Sequence, residues 1–276
     1  MPTPPKPAPM QRSDGEGALA VKLAGGRSRI DRLHQRANAK IRIPKTHGDA
    51  LEAVLINTSG GITGGDTLSW TVDAAANTAA IVTTQACERI YRSSGGVGRV
   101  TTSLTAGSGA SLFWLPQETI LFDGGALDRT LEVDLDATAR FLALETVILG
   151  REAMGETVAS GTLRDRWRIR RAGRLVHADD LRFDFADAAH AGDQAVLAGN
   201  RVFATLLSVT PDPAERRDLD LAAIRLLLPE TGGASLTGEK IAVRLAAPSA
   251  YAMRKALLPL INVLLEGRAL PKVWQL

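Results

Sequence analysis

From Leu51 to about Phe185 the apolar residues recur at every second position, and that period constrains the fold more than any single motif. Leu68, Trp70 and Val72 alternate with Thr67, Ser69, Thr71 and Asp73, and Leu131, Val133 and Leu135 alternate with Glu132, Asp134 and Asp136. Successive side chains of an extended chain point to opposite faces, so such runs form strands with one buried and one wet side. Small-residue clusters, SSGGVG from Ser93 and AGSG from Ala106, separate them as turns. Three stretches share a strand end, a tight turn and a second strand closing on a polar residue: VDAAANTAAIVTTQ to Gln85, LTAGSGASLFWLPQ to Gln117 and VDLDATARFLALE to Glu145. The closing residues lie roughly thirty positions apart, an interval at which one supersecondary unit stacks on the next. GRLVHADD near Asp179 extends the series. Stacked β-layers or coils explain this pattern, and so does an antiparallel meander with serial hairpins.

Beyond Asn200 the character changes. RVFATLLSV and IAVRLAA read as strands, and Asp212 and Pro213 start a helix leading through Leu219, Ile224, Leu227 and Leu228. Ser249 is expected to cap a second helix whose apolar positions are Leu257, Leu260, Ile261 and Leu264, with a kink at Pro259 and Gly267 at C′. No linker composition intervenes. Residues 25–276 are therefore expected to form one mainly β domain, with a β body to about residue 200 and a layer of mixed strands and two helices over 201–276. The proline-rich residues 1–24, which lack the apolar core of a secretory signal, are expected to be a disordered tail.

Several function classes are disfavoured. The formal charge is only +3 and Lys and Arg are dispersed, so no nucleic-acid stripe exists. The densest basic run, RDRWRIRR from Arg164 to Arg171, puts Trp167 and Ile169 on one face and Arg166, Arg168 and Arg170 on the other, as in a strand with a solvated side. Nowhere do about eighteen apolar residues follow one another, so no membrane span is expected. A single cysteine, Cys87, excludes an internal disulfide and a cysteine-rich metal cage, points to the cytoplasm, and reads as a small buried hydrophobe. His34, His47, His177 and His190 belong to no recognisable motif, and neither a G-x-S-x-G elbow nor HExxH occurs.

One loop stands out: NTSGGITGGD from Asn57 to Asp66. Its glycine pairs, Gly60–Gly61 and Gly64–Gly65, allow turns closed to residues with a Cβ. A P-loop needs Lys and then Ser or Thr after its last glycine, whereas this loop supplies Asp66, which repels phosphate. Asp66 is read as a cap on free backbone N–H groups of a turn, or as a carboxylate at a functional mouth.

This loop, VTTQACERIYRS (Val82–Ser93), WLPQETILFDGG (Trp114–Gly125) and ETVILGREAMGE (Glu145–Glu156), in this order, resemble the urease accessory proteins of the UreD type, also called UreH. The resemblance runs from about Gly25 to Leu276. It implies a β-rich body with helix-like stacking of strands, and it favours the coil reading above. It also implies a non-enzymatic maturation factor that binds urease apoprotein, UreF and the GTPase UreG, with no tightly bound cofactor and nickel only in transit.

Imidazole or thiolate would make a tight nickel site, whereas spaced carboxylates and water suit passage. An internal tunnel has been proposed for the family, and on the matching motifs the candidates are Asp66 and Glu145, followed by Glu118, Asp123 and Asp180. Gln85, Gln117, Glu145 and Asp179 are further expected to form a polar ladder along one edge of the stack. At the C-terminus, Leu270, Val273, Trp274 and Leu276 are costly to expose, so they fold back or dock on a partner; Val273, Trp274 and Leu276 are the candidate contacts. Competing readings are a β-rich hydrolase using paired carboxylates and an interaction module that never touches metal.

Overall fold

The two-residue period resolves into strands that cross repeatedly between two facing sheets. The structure is a computed structural model and describes residues 11–46, 48–187, 193 and 196–275. The chain opens with β1 (Asp14–Ala24), β2 (Arg27–Arg36) and β3 (Ala39–Arg42). There follow β4 (Leu51–Asn57), β5 (Thr67–Ala74), β6 (Ala79–Thr84), the short β7 (Glu88–Ile90), β8 (Gly98–Ala106) and β9 (Ser111–Leu115). The series continues with the short β10 (Thr119–Leu121), β11 (Ala126–Leu135), β12 (Arg140–Leu149), β13 (Thr162–Arg171) and β14 (Arg174–Asp184).

A seven-stranded sheet has the order β14-β13-β11-β8-β5-β1-β2, while β4, β6, β9 and β12 are successive neighbours in the second sheet. Both sets pair in parallel, β5 with β8, β11 and β13, and β4 with β6, β9 and β12. Each coil thus gives one strand to each sheet. The units ending at Gln85, Gln117 and Glu145 are three such crossings, and their tight turns place Asn77 and Gly109 in the left-handed region (φ 58° and 65°). The fourth expected unit is corrected. Here β13 and β14 form an antiparallel hairpin that turns at Ala172 and Gly173, so GRLVHADD stays in the seven-stranded sheet.

The expected tail is corrected as well. Residues 14–24 are β1, parallel to β5 and antiparallel to β2, with Leu19 and Val21 buried. The preceding inward positions are Gly15 and Gly17, which blur the hydrophobic period. Small size is required at Gly17, where a Cβ would lie 2.3 Å from the Trp70 ring. Residues 1–10 of the expected tail lie outside the described residues.

The C-terminal segment comprises β15 (Val202–Val209), α1 (Ala214–Leu227), β16 (Gly232–Thr237), β17 (Lys240–Ala247) and α2 (Ala250–Leu264). The three strands extend the second sheet beyond β12, and both helices cover its outer face, packing Leu257, Leu260 and Ile261 with Phe113, Leu115 and Leu144. Ser249 caps α2, its Oγ accepting from the Ala252 N–H at 3.2 Å, and Pro259 lies inside the helix. The helix ends with Leu265 as C-cap, so C′ falls on Glu266 (φ 54°) rather than on Gly267. Among the described residues no helix is long and apolar enough to cross a membrane.

The chain then folds back. Trp274 is buried, and its indole Nε1–H donates to the Leu115 carbonyl at 3.0 Å. This corrects Trp274 as a candidate partner contact, because an indole already spent on its own sheet has no face to offer. Val273 is half-buried beside it, and Leu276 lies outside the described residues.

Candidate functional site

The inward series of β11 is Leu127, Arg129, Leu131 and Val133, and that of β13 is Leu163, Asp165, Trp167 and Ile169. A charge thus interrupts each apolar series, and the parallel register sets Arg129 directly beside Asp165. Glu145 of β12 meets them from the opposite sheet. Arg129 donates through Nε and Nη2 to the two Asp165 oxygens at 3.2 and 2.5 Å, and through Nη1 to Glu145 Oε2 and, at 3.2 Å, to Thr119 Oγ1. Trp114 Nε1–H donates to the other Glu145 oxygen at 2.9 Å. All three charged residues are buried.

With both carboxyls ionised, two carboxylates around one guanidinium leave a residual negative charge between the sheets. Burial pushes the Glu145 carboxyl upward and Asp165 adds to the push, while Arg129 and the Trp114 hydrogen bond oppose it. Burial also disfavours the charge on Arg129, but Asp165 and Glu145 outweigh it and hold the guanidinium more firmly protonated. Removing Arg129 from such a buried set costs about 3–5 kcal/mol, since it strands uncompensated charge.

A cavity of about 50 Å³ lies against this cluster, lined among others by Glu88, Gln117, Thr119, Arg129 and Glu145. A second of about 230 Å³ is lined by Asn57, Gly60, Gln85, Cys87 and Glu88. The two share Trp70, Thr84 and Glu88. Glu88 therefore lines both the larger, outer hollow and the smaller one between the sheets. Burial pushes its carboxyl up to about 7, against the pull of a hydrogen bond from Asn57 Nδ2 at 3.0 Å. On the helix-covered side of the sheet, Gln117 Oε1 accepts from Arg254 of α2, whereas its buried Nε2 has no hydrogen-bond partner among the described residues.

The glycine loop gives Asn57 and Gly60 to the rim of the larger hollow. Gly60 and Gly65 adopt positive φ (79° and 89°), and at Gly64 a Cβ would lie 2.4 Å from the Gly95 carbonyl oxygen. Asp66 is buried and accepts from the backbone N–H groups of Ser13 and Thr63, both at 2.9 Å, which makes it a turn cap.

Glu118 is buried outside the inter-sheet cluster. Arg254 Nε and Nη2 donate to its carboxylate at 3.2 and 3.1 Å, as does Cys87 Sγ at 3.3 Å. Burial and this neighbour push the Cys87 thiol up to about 12, as befits an inert group. Asp123 accepts from the Ala159 and Ser160 backbones and from Arg92, and the Ala159 bond leads in holding its carboxyl below the usual range. Asp180 is exposed and paired with Arg164. The structure thus brings Glu145 to the interior and leaves the other four candidates at separate places.

The polar ladder is corrected. Gln85 is exposed, Gln117 turns to Arg254, Glu145 points between the sheets, and Asp179 sits on the seven-stranded sheet paired with Arg244. Register explains it: β9 and β12 align Trp114 with Ala143, so Glu145 matches Pro116 and falls on the face opposite to the Gln117 position. Arg129, Asp165 and Glu88 were missed from sequence. For the first two the signal was present, a charge on the apolar face of an alternating strand. Among the described residues no three His, Cys, Asp or Glu side chains gather to hold a metal ion.

A family model described as UreD urease accessory protein matches residues 13–275. The chain is 55% identical to a protein of Rhizobium etli named urease accessory protein UreD, over 96% of both chains. It is 53% identical to a protein of the same name from Rhizobium leguminosarum bv. viciae, again over 96% of both. A third, from a Chelativorans species, is 50% identical over 98% of this chain and 96% of its own.

Proposed function

Because the chain belongs to the UreD family of urease accessory proteins, with a role in urease maturation, we propose that it is a non-catalytic scaffold in the cytoplasm. It binds urease apoprotein together with UreF and the GTPase UreG while the nickel centre is assembled. Nickel is cargo here, and it crosses between the two sheets. The observation that carries this reading is the pair of hollows that both have Glu88 in their lining, with the Glu145 carboxylate lining the smaller one between the sheets. Spaced carboxylates along such a passage bind a hard or borderline cation weakly enough to release it. Asp66 contributes by fixing the rim loop, and Asp180 lies off the route.

The hydrolase reading finds less support. Glu145 and Asp165 are indeed paired carboxylates on facing strands, but both are bound to Arg129, and the adjoining space of about 50 Å³ admits water rather than a substrate.

The test is nickel content per urease molecule after maturation with Glu88→Gln or Glu145→Gln in place of the natural chain. Complex formation is followed by co-purification. Normal assembly with reduced nickel supports the passage. Normal assembly with unchanged nickel in both variants removes it and leaves an interaction module.

A further inference from the structure

The inner end of the passage carries a resident cation, the guanidinium of Arg129. It fills the space between Glu145 and Asp165 with four hydrogen bonds and is buried with both carboxylates. An arginine does not escape this position by losing its proton, since its charge is permanent in proteins and two acidic neighbours reinforce it. A cation that uses these carboxylates has to take the place of the guanidinium.

That requirement discriminates by charge. A monovalent ion offers the two carboxylates one positive charge in exchange for one, and forfeits directional hydrogen bonds that an ammonium or alkali ion cannot reproduce. A divalent ion offers two charges to two carboxylates, and the attraction to each doubles at a given distance and dielectric. It also relieves the residual negative charge that Arg129 alone leaves uncompensated.

The displaced side chain has polar groups to turn toward. Arg129 itself lines the inner cavity, together with the Thr119 hydroxyl that already accepts one of its N–H groups and the Glu88 carboxylate.

We propose that Arg129 is the charge-selective lock of the inter-sheet passage, holding Glu145 and Asp165 until a divalent cation displaces it. This rests on the passage reading above and assigns a positioning role that none of the motif residues has. It differs from a purely structural ion pair in one respect: it makes the interior refuse potassium and sodium.

The experiment uses the full chain in its complex with the other accessory proteins and urease apoprotein. Nickel retention is measured by equilibrium dialysis against Ni²⁺ at low and high KCl, with folding checked by circular dichroism. The natural chain is expected to retain little nickel of its own and to support urease activation almost independently of KCl. Arg129→Gln bares the two carboxylates. It is expected to hold nickel about tenfold more tightly, a coupling of about 1.4 kcal/mol, and to lose that nickel as KCl rises.

Arg129→Lys keeps a charge but only a point donor, and is expected to fall between the two, which serves if the glutamine variant does not fold. A folded variant at Arg129 that retains no more nickel than the natural chain, with the same KCl response, overturns the lock. If instead Glu88→Gln and Glu145→Gln leave the nickel content of urease unchanged, the passage itself fails and the lock with it.

Discussion

Replacing Trp274 by alanine tests how the C-terminal segment is held. The indole is 1% exposed and ranks among the largest fully buried side chains. Truncating a buried tryptophan costs about 3–5 kcal/mol through lost transfer energy and the cavity left behind. The Leu115 carbonyl, which accepts the indole N–H at 3.0 Å, loses its partner at the end of β9, and an unsatisfied buried acceptor costs about 1–3 kcal/mol. Arg254, stacked 5.2 Å from the ring centroid, contributes about 0.5–1 kcal/mol more.

These contributions overlap, because water admitted to the cavity can satisfy the carbonyl, so the expected loss is about 4–5 kcal/mol. At about 2–4 °C per kcal/mol for a large domain, Tm should fall by about 8–20 °C. Trp274→Phe keeps most of the packing and loses only the donor, so about 1–2 kcal/mol is expected. Urea unfolding followed by far-ultraviolet circular dichroism measures both. An alanine variant within about 1 kcal/mol of the natural chain that no longer joins its complex would refute the reasoning, since the indole would then be serving a partner rather than β9.

Two further outcomes are expected from the rim and the mouth. Gly64→Val should yield little soluble protein, because its Cβ would lie 2.0 Å from Ser93 Oγ, 2.4 Å from the Gly95 carbonyl oxygen and 2.7 Å from that of Gly96. The serine can rotate away but the carbonyls cannot, and a soluble, fully stable variant would contradict this. Glu88 titrates near pH 7 in the folded chain against an ordinary carboxyl value of 4.5, so the native state retains a proton that the unfolded chain gives up. Stability contributed by this group is complete below about pH 4.5 and is lost as pH rises through about 7. Glu88→Gln should therefore gain relative to the natural chain between pH 5 and pH 8, read as the difference of urea midpoints; a constant difference across that range would exclude the shifted carboxyl.

The coils were legible because each one repeats the same local events. Asn77 and Gly109 turn the chain at equivalent places, and the strands on either side alternate cleanly. β1 was not legible, since two of its inward positions are Gly15 and Gly17 and its burial comes from Trp70 of a later coil. Arg129 and Asp165 were legible in principle. LDRTLEV and LRDRWRI each place a charge where the period demands an apolar residue, and such a breach marks either a partner or a function. Glu88 carried no comparable sign. It follows Cys87 and opens a strand of three residues, and its neighbours at the larger hollow, Asn57 and Gly60 of the glycine loop and Trp70, are brought there by the tertiary fold, which no local pattern encodes.

A carboxylate can pass a cation along only if its oxygens are not already satisfied, and this orders the acidic residues of the chain. Asp123 accepts from two backbone N–H groups, the Ser160 hydroxyl and Arg92, so it is spoken for as the clamp between two loops. Asp66 holds two backbone N–H groups, and Glu118 holds Arg254 and Cys87. Each is a structural fastener whose loss would disturb the fold before it disturbed any ion.

Among the described residues Glu88 has a single side-chain donor, Asn57, and it borders both hollows. Glu145 is occupied by Arg129 and Trp114, but one of those occupants is itself a cation and can be exchanged for another. Neutral amide variants should separate the two groups. Asp66→Asn should lower Tm and activation together, since an amide cannot accept both N–H groups. Glu88→Gln should leave the fold intact and lower the nickel delivered per urease. If Asp66→Asn kept its Tm and lost nickel delivery, the rim carboxylate rather than Glu88 would be the one that meets the metal.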